Sequence, residues 1–351
     1  MDTEKVAYKG KIQMNEQVSD EKPLVTFALF AYNQEKYIRE AVEGALAQTY
    51  SPLQIILSDD CSSDQTFAII QEMVAEHAGP HEVLLNRNEP NLGLADHINY
   101  LMTLVKGELI VVAAGDDISL PERTATIVAK WCSNDKTSKS IHSAYIEINT
   151  DGKSLQTKQN SNANRFTSVQ SCIRNNTHVT GATHAWSKEL FTEFGPLRSD
   201  VIHEDCAIPL RAMLLGHVSY INTPLVKYRI DVGISSGFGK GDMNDELYGT
   251  GAISAARYYV DYLQKSDDLM KFGADKVLQK ICNRKLQERW LLKALGNREA
   301  HRLKLFVIAI AAGAGVINAT NQLAKYYFPN LTVQKRKLAS HVRLIFGISR
   351  L

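Results

Sequence analysis

Two acidic pairs, Asp59-Asp60 and Asp116-Asp117, each follow a short apolar run and each stand directly before a stretch with helical periodicity. A chain that alternates strand-like and helix-like segments in this way lays its strands side by side and packs its helices on the faces, which is the α/β class. Residues 24–31 are the first apolar run. Tyr37, Ile38, Ala41, Val42, Ala45 and Leu46 then recur at intervals of three and four, one face of a helix. Residues 53–58 are the second run and end on Asp59-Asp60; 82–86 are the third; 109–114 are the fourth and end on Gly115-Asp116-Asp117. A helix over 94–105 separates the last two.

Ser62 with Gln65, and Ser119 with Glu122, have the spacing of capping boxes. The spacing predicts a helix starting directly behind each acidic pair, with Pro121 tolerated in the first turn of the second. Both pairs then sit in strand-to-helix turns. In open α/β sheets that edge carries the ligands, because the loops leave a crevice outside the strand ends.

Beyond residue 140 the texture changes. Residues 141–149, an Asp151-Gly152 turn and a polar stretch over 159–165 predict a hairpin and a mobile loop. Residues 187–194 and 207–215 have helical patterning, and 218–221 and 226–230 that of strands. The glycine-rich SSGFGKG follows, and we place a boundary there. The expected organisation is an N-terminal extension over 1–22, an α/β domain over 23–236 and a mostly helical region over 237–351.

A net charge of +2 gives no footprint for nucleic acid. The 5 cysteines are scattered without a CxxC pair, which argues against zinc and for a reducing compartment. The first residues lack the apolar core of a signal peptide, so a cytoplasmic location is expected. Residues 305–317 are apolar but short of the roughly twenty residues a bilayer span needs. The final stretch, QKRKLASHVRLIFGISRL, is basic and amphipathic, either a peripheral membrane contact or a helix packed on its own domain.

Either acidic pair alone is an ordinary solvated helix cap; two on one sheet edge suggest a site. Carboxylates approach a nucleotide diphosphate only with a divalent cation between them, and Mg²⁺ or Mn²⁺ prefers such oxygen ligands. One pair can hold the cation. The other can accept hydrogen bonds from a base or ribose.

The stretches PLVTFALFAYNQEKYIREAVEGALAQTY, IILSDDCSSDQT, NLGLADHINYL, GELIVVAAGDD, HEDCAIPLRAMLLG and YRIDVGISSG, in this order, resemble glycosyltransferase family 2, inverting enzymes of the GT-A fold. The resemblance implies a Rossmann-like mixed sheet flanked by helices, with a helical C-terminal region. It implies that Ala31, Tyr32 and Asn33 form the first nucleotide-contacting loop with Glu35 behind it, and that Asp59 and Asp60 recognise nucleobase and ribose. Asp116 and Asp117 then match the end of a DxD-type motif, with Asp117 the ligand of Mg²⁺ or Mn²⁺. Asp205 matches the general base that takes the proton of an acceptor hydroxyl, while Glu204-Asp205 is also ordinary acidic charge at a helix N-terminus.

Arg229 can contact phosphate, and Glu204, His184 and Trp186 can line an acceptor pocket, since an aromatic face suits a sugar ring. Buried packing is the alternative for Trp186. Asn91-Leu92-Gly93 is either a donor-side turn or a simple helix entrance. Two positions depart from the family's pattern: Gly115 where many members have Asp, and Asp231 where many have His.

The expected function is transfer of a sugar from a nucleotide-diphosphate donor, a UDP-sugar first, to a hydroxyl of a surface polysaccharide or lipid-linked glycan. The setting implied is the inner face of the membrane, with residues 301–351 as the contact and a homo-oligomer as an option. A non-catalytic sugar-nucleotide or glycan-binding protein of the same fold is the alternative. A nucleotidyltransferase would carry a glycine-rich basic loop after the first strand, and FALFAYNQE has none.

Overall fold

The computed structural model describes residues 22–159, 165–232 and 251–295. Four of the apolar runs become β1 (Val25–Ala31), β2 (Leu53–Asp59), β3 (Glu82–Arg87) and β4 (Leu109–Ala114), parallel and ordered β3-β2-β1-β4. Between them run α1 (Ile38–Leu46), α2 (Thr66–Ala75) and α3 (Leu94–Leu104). The chain steps outward from β1 to β3 and then returns to β4 on the other side of β1. That reversal opens a crevice at the carboxyl ends of β1 and β4.

The sheet continues as β8 (Ala185–Ser187), β6 (Ser138–Ile148), β9 (His217–Arg229) and β5 (Ile118–Ser119), nine strands in all with β7 (Ser154–Lys158) paired to β6. β8 is antiparallel to both neighbours, so the sheet is mixed. The Asp151-Gly152 turn joins β6 and β7 as expected, with Gly152 at φ +78. The remaining helices are α4 (Arg123–Ser133), α5 (Val169–Asn175), α6 (Glu189–Phe194), α7 (Glu204–Leu215), α8 (Gly251–Lys271) and α9 (Lys276–Leu295).

One sheet face is covered by α1, α2 and α4 through Ile38, Val42, Ile70 and Ile127. The other is covered by α3, α6 and α7 around Trp186. A third apolar cluster joins α5 and α7 to α8 and α9 through Cys172, Leu210, Tyr262, Leu269 and Cys282. The C-terminal helices therefore pack against the α/β part, and the Tyr262 hydroxyl donates to Ile173 C=O at 2.6 Å. Arg211 and Asp268, both buried, form an ion pair at 2.9 Å across the same joint. Among the described residues no helix is long and apolar enough to cross a membrane.

Several sequence expectations shift. Neither capping box forms: α2 begins at Thr66, whose N–H donates to Asp64 Oδ1 at 2.9 Å, because Ser62 is engaged elsewhere. At the second site Ser119 is a strand residue that accepts from Arg123, and α4 starts after Pro121. The helix expected over 187–194 is preceded by β8, and the two strands at 218–221 and 226–230 are one strand with register shifts against β6. Helix α7 starts three residues earlier than the apolar pattern indicates, at Glu204. The residues 1–21, most of the polar stretch at 159–165, the SSGFGKG segment and the apolar and basic stretches beyond 300 lie outside the described residues.

Candidate active site

The turn after β1 and the turn after β2 are laced together. Asn33, at φ 52, donates its N–H to Ser62 Oγ at 2.8 Å and accepts from Ser63 N–H at 2.9 Å. Gln34 N–H donates to Thr66 Oγ1 at 2.7 Å, and Glu35 accepts from Gln65 N–H at 3.0 Å. Glu35 therefore supports the start of α2. Tyr32 stands apart from this lacing, 51% exposed at the crevice edge.

Asp59 and Asp60 have different employments. Asp59 is sealed from solvent, holds Ser62 through N–H and hydroxyl, and faces Arg87 at 3.8 Å. Asp60 accepts from Asn88 Nδ2 at 2.8 Å, Leu92 N–H at 2.9 Å and Gly93 N–H at 2.9 Å. The Asn91-Leu92-Gly93 turn is thus gripped by Asp60, and Asn91 Nδ2 returns a bond to the Asp60 carbonyl at 2.7 Å.

The second acidic pair follows β4, whose end is anchored on β1 by Gly115 N–H to Phe30 C=O at 2.9 Å. Asp117 accepts from Arg229 N–H through Oδ1 at 2.7 Å. Burial raises the proton affinity of Asp117 well above the carboxylate norm and the charge of Asp116 adds to it, while Arg229 and Arg123 pull it back. Asp116 is raised by burial too, against a hydrogen bond from Gln34 and the charge of Arg229.

Two crowded carboxylates are poorly stable as a dianion in a site this dry. A hard divalent cation relieves that, and these residues fit one: two acidic side chains side by side, with Asp117 committing one oxygen to Arg229. Among the described residues no three His, Cys, Asp or Glu side chains form a closed metal cage. Mg²⁺-type sites commonly use one or two carboxylates and complete their shell with substrate phosphates and water.

The departure at Gly115 has a steric cause. A Cβ there would sit 2.3 Å from Gln34 Oε1 and 3.0 Å from Ile38 Cδ1. Gln34, which bonds Asp116, occupies the space an aspartate would need.

Arg123 lies between this loop and the segment that meets the acidic start of α7. Its guanidinium, buried completely, donates to Ser119 Oγ at 2.8 Å, Val112 C=O at 2.7 Å and Ala182 C=O at 2.9 Å. Ala182 lies in a single helical turn, Gly181–Thr183. A Cβ on Gly181 would come 2.8 Å from Glu204 Oε1, so the acidic start of α7 lies close against that turn. Pro209, inside α7, has no N–H to give Asp205 C=O, and Val179 N–H takes the vacancy at 3.2 Å. Arg123, whose charge acts on Asp117, thus bonds the same 179–183 segment that holds the Asp205 backbone carbonyl.

Both acids at the start of α7 have raised proton affinity. Glu204 is pushed up to about 8, by burial first and by the charge of Asp205 second. Asp205 is raised by burial, opposed by His178 and His203.

Residues 26–195 match the Glycosyl transferase family 2 model. EpsE of Bacillus subtilis is 33% identical over 107 residues, 30% of this chain and 38% of that protein. The chain thus spans well under two-thirds of that relative. The crystal structure of S. aureus TarS 1-349 in complex with UDP-GlcNAc superposes with a TM-score of 0.52 at 13% identity, over 86% of this chain and 91% of that one. The mannosyltransferase PcManGT from Pyrobaculum calidifontis in complex with GDP-Man and Mn²⁺ gives 0.52 at 17% identity, over 93% and 88%. These likenesses show the GT-A fold.

Asp60 and Asp117 lie inside the matched family 2 stretch, whereas Glu204, Asp205 and Arg229 lie beyond its end. Three residues singled out from the sequence do not line the crevice at the carboxyl ends of β1 and β4. His184 is fully buried, bonded to Ser140 Oγ at 2.6 Å, and Trp186 is buried against it and Phe191. Both are core, because β8 inserts between β4 and β6 and turns their side chains inward. Arg229 donates to Asp116 C=O at 3.0 Å, Asn149 C=O at 3.0 Å, Thr150 C=O at 3.1 Å and Glu40 at 3.1 Å, and lies over the Tyr37 ring. It braces the acidic loop rather than reaching for a phosphate.

Sequence reasoning missed Gln34, Arg123, Gly181 and Pro209. Only Pro209 left a signal: a proline four residues after Asp205 frees that residue's carbonyl wherever the segment is helical.

Proposed function

We propose that this protein is an inverting glycosyltransferase that moves a sugar from a nucleotide-diphosphate donor, a UDP-sugar first, to a hydroxyl acceptor. The observation that carries the proposal is that Arg123, whose charge acts on Asp117, bonds Ala182 C=O in the same 179–183 segment whose Val179 N–H bonds Asp205 C=O. Arg123 and this segment stand between a cation-fitting acidic loop at the sheet's switch point and a second acid with raised proton affinity.

In this proposal the turn after β1, with Tyr32 exposed, and the loop gripped by Asp60 frame the nucleoside. Asp117, backed by Asp116, would hold Mg²⁺ or Mn²⁺, which supplies charge neutralisation to the departing diphosphate. Asp205 accepts the proton of the acceptor hydroxyl as its oxygen attacks the anomeric carbon, and the nucleotide leaves from the opposite face. A base whose proton affinity is raised by burial suits this task. Glu204, neutral at pH 7, is a hydrogen-bond donor beside it. The acceptor is a hydroxyl of a surface polysaccharide or a lipid-linked glycan, as the family resemblance implies.

The steric reason for Gly115 removes one motive for the non-catalytic alternative. The test is a thermal-shift series with UDP, GDP and dTDP, with and without Mn²⁺. UDP with Mn²⁺ raises Tm, and Asp117→Ala abolishes the rise. No shift with any nucleotide and either metal contradicts the proposal.

A further inference from the structure

Helix α8 lies outside the matched family stretch, yet it reaches the start of α7. Asp261, buried on α8, accepts from or faces His203 Nδ1 through both oxygens, at 3.0 and 3.2 Å. His203 is the residue directly before Glu204-Asp205, and its carbonyl accepts the N–H of Cys206 at 3.0 Å and of Ala207 at 3.3 Å, so it also closes the first turn of α7. Seven residues further along α8, Asp268 grips Arg211 of α7 by Nε at 3.0 Å. Between them Lys265, buried, donates to Asn176 Oδ1. Two polar contacts from α8 thus fix α7 at its start and its middle, a third holds the end of α5, and the first of them ends beside the acid pair.

We propose that Asp261 and His203 are positioning residues for Asp205: Asp261 orients His203 and keeps it charged, and that charge keeps Asp205 able to accept a proton. This rests on Asp205 being the base. The groups facing Asp205 are His203, Glu204 and Cys206 at the start of α7, His178 on the preceding loop and Asp261 and Tyr258 on α8, with Arg257 and the Tyr258 ring of α8 against His203. Burial works against a charged His203, but the hydrogen bond and charge of Asp261 outweigh it and hold the imidazole above its ordinary value. His203 and His178 in turn oppose the burial of Asp205. The proposal gives the helical region a chemical duty: it completes the basic site rather than merely extending the chain.

The experiment is a pH titration of the full chain by NMR, following the His203 ring and the Asp205 carboxyl carbon in protein labelled at His and Asp. Asp205 is assigned by the signal lost in Asp205→Asn. In the unmodified protein His203 titrates above its ordinary value. Asp261→Asn lowers that midpoint by about one pH unit, and His203→Gln raises the Asp205 midpoint by about one unit, as removal of a neighbouring opposite charge requires. Asp261→Glu restores the His203 midpoint. An Asp205 midpoint unmoved in His203→Gln, or a His203 midpoint at or below its ordinary value in the unmodified protein, overturns the proposal. The second observation needs no variant to fold. Failure of the base assignment itself shows differently: Asp205→Asn then releases nucleotide from its sugar donor at the unmodified rate, whatever the titrations give.

Discussion

The backbone N–H of Arg229 donates to Asp117 Oδ1 at 2.7 Å, so the last residue of β9 holds the acidic loop that follows β4. The Arg229 side chain reinforces the hold by bonding Asp116 C=O and two carbonyls of the β6–β7 turn. Arg229→Lys keeps a charge but cannot span those acceptors with one ammonium. It is expected to lower stability by about 2–3 kcal/mol in urea denaturation, as for a buried charged donor lost from its partners. A variant as stable as the unmodified protein but weakened only in nucleotide binding would return Arg229 to the role of a phosphate ligand.

Gly115 and Gln34 are coupled. Gly115→Ala pushes the Gln34 amide away from Asp116, at a cost of about 1–2 kcal/mol for overpacking. Adding Gln34→Ala removes the obstacle, so the double variant is expected to lose less than the sum of the two single losses, measured by a denaturation cycle. Strict additivity would show that the contact is unimportant.

The proton affinity of Glu204 makes stability depend on pH in a defined direction. Its pKa rises from 4.5 for a solvated glutamate side chain to about 8 in the fold, so folding takes up a proton between those limits. The contribution of Glu204 to stability is then most favourable below pH 4.5 and is lost as pH rises through about 8. Glu204→Gln is expected to be more stable than the unmodified protein at pH 8, with the difference vanishing near pH 4.5. Denaturation at the two pH values checks this, and a variant less stable at the higher pH contradicts it.

Trp186 separates packing from acceptor binding. Trp186→Ala is expected to cost about 3–5 kcal/mol of stability, as for a large side chain removed from a core. Its acceptor KM should stay unchanged wherever the variant remains folded. A raised KM with intact stability would place the indole in the acceptor pocket.

The parallel half of the sheet was legible because its strands are buried on both faces and so appear as unbroken apolar runs bounded by turn residues. The acidic pairs were legible for the same reason, standing where those runs stop. What the local pattern could not show was where side chains from distant segments would be needed. Ser62 and Ser119 had capping spacing, but Asn33 with Asp59 claimed the first and Arg123 the second. His184 and Trp186 resembled pocket residues because polar and aromatic side chains were adjacent, and only the insertion of β8 between β4 and β6 buried them. Asp261 was invisible as a site residue, since nothing local to α8 marks the one acid that meets His203.

The most direct measurement is nucleotide release from a UDP-sugar by Asp205→Asn, made alongside UDP binding in the presence of Mn²⁺. Binding should match the unmodified protein, and release in the presence of acceptor should fall by about 10²–10⁴-fold, the usual worth of a positioned base. Turnover at the unmodified rate by Asp205→Asn would contradict the account.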